Sequence, residues 1–230
     1  MISCGIDFGT SNSAACLYKD GHVQPVLFEG GKTELPTAVF FDFEEHQIYY
    51  GREAVEAYTE GAEGRLMRAL KSLLGSSLIN ESTSLKRSRV TFQQVIELYL
   101  ANLKRGIEAT ASGPVEQVTM GRPVRFVDDS DEADQEAEAS LRQAAEAVGF
   151  KQISFAFEPV GALHGALDAS LAGKRILVCD IGGGTADFTL AEVVSSAQEL
   201  SLNFLATKGI HIGGTDLDKE VSLECIMPQY

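Results

Sequence analysis

The sequence predicts an α/β protein built around two copies of one strand–turn–strand unit, on three observations. Ile2, Cys4, Ile6 and Phe8 alternate with smaller or polar residues, the period of a strand. The Ile6-Asp7-Phe8-Gly9 turn recurs as Cys179-Asp180-Ile181-Gly182, each time between an apolar strand and a second strand. Between the copies lie stretches of helical period, so strands and helices alternate along the chain.

Taken in order, a first strand leads into the Gly9-Thr10-Ser11-Asn12-Ser13 turn and a second apolar stretch over 14–18. Asp20-Gly21 is a two-residue hairpin signal before a third strand over 22–28. Residues 34–114 read as an inserted, mostly helical subdomain, with a short apolar stretch at 38–43 and helix-like runs at 52–59 and 62–74. A further helix starts at the Thr91-x-x-Gln94 capping box, carries the stripe Val95, Leu98, Tyr99, Asn102 and Leu103, and ends at Ser112-Gly113-Pro114. Strand character returns over 115–123. Seven carboxylates between 128 and 138 precede Leu141, Ala144, Ala145, Val148 and a Gly149 stop. Acids at a helix start complement its macrodipole and predict a solvated face, not a binding site. A short strand over 152–157 runs into Glu158-Pro159, with proline at a first helical position. That helix carries Gly161, Ala162, Gly165, Ala166 and Ala169, a smooth face suited to a hinge. From residue 174 the opening pattern repeats, with strands over 175–180, 187–193 and 200–206 and Gly182-Gly183-Gly184-Thr185 as the turn. The predicted organisation is a first lobe from 1–33 and 115–170, the insert at 34–114, the opening meander of a second lobe at 171–212, and the start of that lobe's own insert at 213–230.

Composition excludes several function classes. Hydrophobic residues make up 44% of the 230 and charged ones 23%, enough apolar material for a packed core. Nineteen Lys and Arg against 33 Asp and Glu leave a formal charge of −14, which repels nucleic-acid backbones and anionic membranes. Neither is expected as a partner. No apolar run approaches the roughly 18 residues of a membrane span, and the Met1-Ile2-Ser3-Cys4 opening, with no basic residue before Lys19, is not that of a secretory leader. Cys4, Cys16, Cys179 and Cys225 form no C-x-x-C pair, and the first three lie in strand-like runs where buried free thiols are expected. They have no metal-ligand spacing with His22, His46, His164 or His211. A reduced, cytoplasmic protein without a zinc site is the expectation.

The same charge dictates how an anion could be held: by backbone amides, a metal or a few local cations. Glycines at the two turns remove Cβ and let N–H groups close on an anion, while Thr10, Ser11, Ser13 and Thr185 add hydroxyl donors. Asp7, Asp180, Asp187 and Glu158 offer oxygen to a hard cation such as Mg²⁺, which keeps several waters and meets few carboxylates directly. Two facing turns with these acids make a phosphate–Mg²⁺ clamp. Two other motifs fail on inspection. Gly31-Lys32-Thr33 ends like a P-loop, but the required first glycine falls on Val26 and Leu35-Pro36 follows. Gly182-x-Gly184 has Asp187 where a dinucleotide fingerprint needs its third glycine.

These motifs resemble those of the actin-like ATPase superfamily, and most closely the 70-kDa heat-shock chaperone family. Gly5-Ile6-Asp7-Phe8-Gly9-Thr10-Ser11-Asn12-Ser13 is similar to that family's first phosphate motif, Glu158-Pro159-Val160-Gly161-Ala162-Leu163 to its connecting motif, and residues 180–190 to its second phosphate motif. Ile212-Gly213-Gly214-Thr215-Asp216-Leu217-Asp218 resembles its Gly-Gly-x-Asp-Phe-Asp segment, and Lys71-Ser72-Leu73-Leu74-Gly75 the segment of its catalytic lysine. The resemblance implies the actin-like ATPase fold of RNase H-like half-domains, with the first lobe nearly complete and the second truncated. It implies a chaperone-like module that binds and hydrolyses ATP, with ATP/ADP and Mg as ligands and unfolded client proteins as partners. Within it Asp7 and Asp180 would face hydrated Mg²⁺, and Gly9, Thr10, Ser11, Gly182, Gly183, Gly184 and Thr185 would contact phosphates. Lys71 would sit beside the γ-phosphate and attacking water, while Glu158 and Asp187 would orient water or metal ligands. An actin-like filament subunit and a small-molecule kinase share the phosphate turns and stand as alternatives. The family's later adenosine motif and second connecting helix have no counterpart here, so a fragment with weak or no ATP affinity is expected, with open strand edges through which it could dimerise. Thr215 stands where these chaperones carry an acidic residue.

Overall fold

Strand β1 (Ile2–Phe8) has Cys4, Ile6 and Phe8 buried on one face, and Asp7 turned to the other, so the strand belongs at the centre of a sheet with only one side dry. In the computed structural model, which describes residues 2–86, 88–128, 130–166, 168–195 and 200–229, it holds that position. Asp129, one of the seven acids expected before the third helix, lies outside the described residues. β2 (Asn12–Lys19) and β3 (His22–Pro25) continue antiparallel on one side of β1. Asp20 and Gly21 between them both take positive φ (52° and 82°), as an Asp-Gly hairpin turn requires. β4 (Glu34–Pro36) pairs with the start of β2. On the other side of β1, β10 (Gln117–Arg122) and β11 (Gln152–Phe157) run parallel, giving the order β11-β10-β1-β2-β3.

The segment between β4 and β10 contains β5 (Ala38–Asp42), β6 (Ile48–Tyr50), helix α1 (Gly51–Thr59), β7 (Gly64–Arg68), β8 (Ser82–Leu85), β9 (Ser88–Thr91) and helix α2 (Phe92–Ala111). The insert is therefore mixed, not mostly helical, and the helix expected over 62–74 does not form. Gly64 lies against Phe40 and Phe41 with no room for a Cβ, β7 pairs antiparallel with β5, and Ala69 at φ 54° ends the strand before a 3-10 turn over Leu70–Leu73. Pairing to a fully buried β5 outweighs the good helix propensity of Arg65-Leu66-Met67-Arg68.

The capping box forms as expected: the Gln94 amide donates to Thr91 Oγ1 (3.1 Å) and the Thr91 amide to Gln94 Oε1 (2.9 Å). From there α2 buries Val95, Ile96, Tyr99, Leu100, Leu103 and Ile107. Each such side chain contributes roughly 1.5–3 kcal/mol by leaving water. Strand β10 (Gln117–Arg122), helix α3 (Asp131–Ala147), β11 (Gln152–Phe157) and helix α4 (Glu158–Ala166) follow. Ser130 caps α3 by accepting from the Ala133 amide (3.1 Å), and Asp131, Glu132 and Asp134 fill its first turn. Ala137, Leu141, Ala144 and Ala145 join the core cluster that also holds Cys4, Ile6 and Phe8.

Arg122 fastens the end of β10 to α3. It donates to Asp134 Oδ2 (2.7 Å), Glu138 Oε2 (2.5 Å) and Pro123 O (3.1 Å), and its guanidinium lies 5.1 and 5.4 Å from the rings of Phe126 and Phe157. Replacing it with methionine would take the cation from partly buried Asp134 and leave Glu138 with the more distant Arg142 (3.7 Å). Arg122→Met is expected to cost roughly 2–4 kcal/mol of stability in urea melts, and a change below about 0.5 kcal/mol would contradict this assignment.

The opening meander then recurs as β12 (Arg175–Ile181), β13 (Ala186–Ser195) and β14 (Leu200–Ile210), antiparallel in sequence order, before helix α5 (Gly214–Val221). One of the expected buried thiols is not buried. Cys4 is dry and Cys16 half-buried, whereas Cys179 is exposed together with Leu177 and Ile181, because no described residue covers that face of β12. The result is a mixed α/β fold. Among the described residues no helix is long and apolar enough to cross a membrane.

Candidate functional site

The first turn is shaped by what stands behind it. Gly9 lies so close to the Asn12 carbonyl that a Cβ would collide with it. Thr37 holds the turn from the insert: its hydroxyl donates to Gly9 O (2.8 Å) and its amide to Ser11 O (2.9 Å), while Ser13 Oγ lies 2.9 Å from Thr37 Oγ1. Tyr99 of α2 supports this from below, donating to Leu35 O and Pro36 O at 3.2 and 3.1 Å. Nothing in the sequence pattern singled out Thr37; its role comes from a loop that only the fold brings to the turn.

The second turn closes through the Gly182 amide, which donates to Thr185 O (2.9 Å), so this amide serves the turn itself. Residues 213–215 lie directly on it. The Gly214 amide donates to Gly182 O (2.9 Å) and the Thr215 amide to Gly183 O (2.8 Å). A Cβ on Gly213 would stand 2.5 Å from Gly183 C and Gly184 N. Asp216 Oδ2 secures the segment by accepting from the Gly213 amide (3.0 Å). The two turns face each other: a Cβ on Gly183 would strike Ser11 Oγ, and one on Gly184 would lie 2.9 Å from Thr10 Oγ1.

Beside the turns are one buried cation and the carboxylates. Lys71, in the 3-10 turn after Ala69, is 6% exposed and donates to Glu158 Oε1 at 2.5 Å. Glu158 opens α4, and Gly121 of β10 makes room for it, since a Cβ there would be 3.2 Å from Glu158 Cγ. Asp7 and Asp180 are each the last residue but one of their strands, β1 and β12. A cavity of about 820 Å³ brings together Asp7, Lys71, Glu158 and Asp180 with Gly9, Thr10, Ser11, Gly182, Gly183 and Thr185. Gly184 lies next to it, near Thr10, Thr185 and Lys71.

Asp187 does not line this cavity. It is 1% exposed, accepts from the Val124 amide (3.1 Å), and presses on Gly209, where a Cβ would lie 2.5 Å from its Oδ1. A second fastening runs from the His211 amide to Asp128 Oδ2 (2.8 Å), so the loop after β10 is tied twice to the second meander. A further cavity of about 610 Å³ lies between α2 and the end of α3, but there Lys104 and Glu108 already satisfy each other.

Burial raises the pKa of Asp7 and of Glu158, against the lowering effect of the Lys71 ammonium and with the Asp180 charge adding to the rise. Asp7 is open to the cleft on one side, but protein crowds it on the others, and the crowding decides the direction. Burial raises Asp187 as well, ahead of the opposing Val124 amide bond. Groups with raised folded pKa values hold protons that the unfolded chain has released, so stability falls as pH climbs from the ordinary carboxylate range through those raised values. Asp7→Asn is accordingly expected to melt higher than the parent at neutral pH, with the gain vanishing in acid below the ordinary aspartate pKa. A gain that is equal at all pH values would contradict this electrostatic origin.

Among the described residues no group of three or more His, Cys, Asp or Glu is placed to hold a metal ion. The cleft offers two strand-end carboxylates beside neutral donors, a set that fits a cation retaining most of its water better than one needing a full protein cage. Among the described residues the Gly183 and Gly184 amides have no acceptor in the chain, and neither residue carries a Cβ to block an approaching anion.

Comparison with known proteins gives a consistent picture. The family model described as Hsp70 protein matches residues 3–228. The chain is 30% identical to the chaperone protein DnaK of Cenarchaeum symbiosum over 226 residues, covering 94% of this chain and 32% of that protein. It is 30% identical over 226 residues to the chaperone protein DnaK of Thermoplasma volcanium (94% and 34%) and 28% identical over 232 residues to that of Nitrosopumilus maritimus (98% and 34%). The chain thus spans about a third of the length of the curated relatives it matches.

Proposed function

The chain belongs to the Hsp70 protein family, and from that premise we propose that it supplies the phosphate- and Mg²⁺-binding part of an ATP-hydrolysing site in a chaperone. The observation that carries this reading is the convergence of two glycine turns on one cleft beside the buried Lys71–Glu158 pair. Gly183, Gly184, Thr10 and Ser11 would bind the polyphosphate through amides and hydroxyls, which a chain of net charge −14 needs in place of a basic face. Asp7 and Asp180 would hold the Mg²⁺ through its waters; when bound, the ion supplies charge neutralisation at the phosphates. Lys71 would set its ammonium where negative charge develops, and Glu158 would hold that ammonium in place. Phosphoryl transfer asks mainly for such positioning and charge stabilisation. Asp187, buried behind the second turn, would hold the second meander to the loop after β10, a positioning role and not a contact with the nucleotide. Family membership does not favour the filament-subunit or small-molecule-kinase readings. Client proteins as partners and a cytoplasmic location are parts of the same proposal, supported by the chaperone relatives.

Because the assigned residues address phosphates and metal only, binding is expected to be weak and Mg²⁺-dependent. Calorimetric titration with Mg-ATP at millimolar concentrations tests this. Saturable heat that disappears on chelating the metal is the expected result, and no binding at millimolar nucleotide would sink the reading.

A further inference from the structure

The β5–β7 pairing brings a second cation to the first turn. Arg68 is the register partner of Ala38, and the preceding residue, Thr37, is the one that bonds Gly9 O and Ser11 O. Directly after Arg68, Ala69 sits at φ 54°, ψ 39°. A non-glycine residue in that left-handed region is strained, and the strain is worth explaining by what it achieves. Here it sends two nearby cations to different places. Lys71 enters the cleft and meets Glu158, while Arg68 stays outside and lines a separate cavity of about 400 Å³.

That cavity is bounded by Thr10 and Ser11 of the first turn, Gly183 of the second, and Thr215 and Asp218 at the start of α5. Arg68 is its one basic residue among the described lining residues. It is exposed, and among the described residues it has no carboxylate within ion-pair distance. A planar guanidinium matches phosphate oxygens with two parallel donors, which an ammonium cannot do.

Resting on the reading of the cleft as a nucleotide site, we propose that Arg68 is a second phosphate-binding cation, gripping the polyphosphate chain from the cavity that Lys71 does not line. Its ligand class is a condensed phosphate, alone or carried by a nucleotide. Asp218 across the cavity is then a like-charged neighbour of the ligand.

The test is titration of the chain with inorganic tripolyphosphate, followed through amide NMR shifts of residues 182–185. Arg68→Ala is expected to weaken binding roughly tenfold or more with an unchanged melting temperature, and Arg68→Lys to recover part of the loss. Asp218→Asn is expected to tighten binding. Unchanged affinity in Arg68→Ala, with the parent still binding at the second turn, overturns this inference alone. A parent chain that does not bind overturns it together with the nucleotide reading. If Asp218→Asn weakens binding as Arg68→Ala does, Arg68 acts as a strut to Asp218 and the proposal fails.

Discussion

Lys71→Met is expected to slow Mg-ATP turnover by roughly 10²–10³-fold, the loss typical of removing one preorganised charge aimed at a developing anion. The side chain is nearly inaccessible, so methionine keeps its volume while deleting the ammonium that meets Glu158. Ground-state affinity is expected to change much less, because the amides and hydroxyls of the two turns still hold the phosphates. Phosphate release at saturating Mg-ATP separates the two effects. A rate within about threefold of the parent would remove Lys71 from the chemistry, since one ordinary general-acid or charge contribution is worth far more than that. Glu158 would also lose the Lys71 ammonium that opposes the effect of burial, so its pKa should lie further above the ordinary carboxylate range in the variant than in the parent.

Gly213→Ala is expected to be strongly damaging for a change of a single methyl group. The added Cβ would stand 2.5 Å from Gly183 C and Gly184 N and 2.7 Å from Gly182 O, all backbone atoms that cannot swing aside. Relief requires residues 213–215 to lift off the second turn, breaking the Gly214-to-Gly182 and Thr215-to-Gly183 hydrogen bonds. Overpacking and two lost bonds together amount to about 2–4 kcal/mol. The turn that cradles phosphate would lose its backing, so nucleotide affinity should fall with stability. Gly165→Ala is the matched control: nothing lies within 4 Å of its Cβ position, and in helix α4 alanine should be neutral or slightly stabilising. Equal stability of Gly213→Ala and Gly165→Ala would contradict the docking of 213–215 on the turn.

What could be read from the sequence was local or repeated. The β1 alternation, the Asp20-Gly21 hairpin, the Thr91–Gln94 capping box and the acid-rich start of α3 depend on residues a few positions apart, and each forms where expected. The repeated Asp-x-Gly turns located both halves of the cleft for the same reason. Features set by distant partners were not legible. β7 was read as helix because its pairing with β5 is invisible to helix propensity. Cys179 was expected to be buried because a strand's apolar alternation does not say which face is covered. Asp187 looked like a ligand by its spacing in the glycine-rich motif, yet it accepts from the Val124 amide and does not line the cavity. Thr37 and Gly121 shape the site through long-range contacts, and Arg68 differs from any surface arginine only by the strand register that puts it beside Thr37.

The central claim is that the two glycine turns form one phosphate site. A crystal structure grown with a non-hydrolysable ATP analogue and Mg²⁺ examines it most directly. The account predicts phosphate density between Thr10–Ser11 and the Gly183 and Gly184 amides, with the metal's waters facing Asp7 and Asp180 and Lys71 within reach of the terminal phosphate. Nucleotide bound elsewhere, such as the groove between α2 and α3, with the two turns empty, would contradict it.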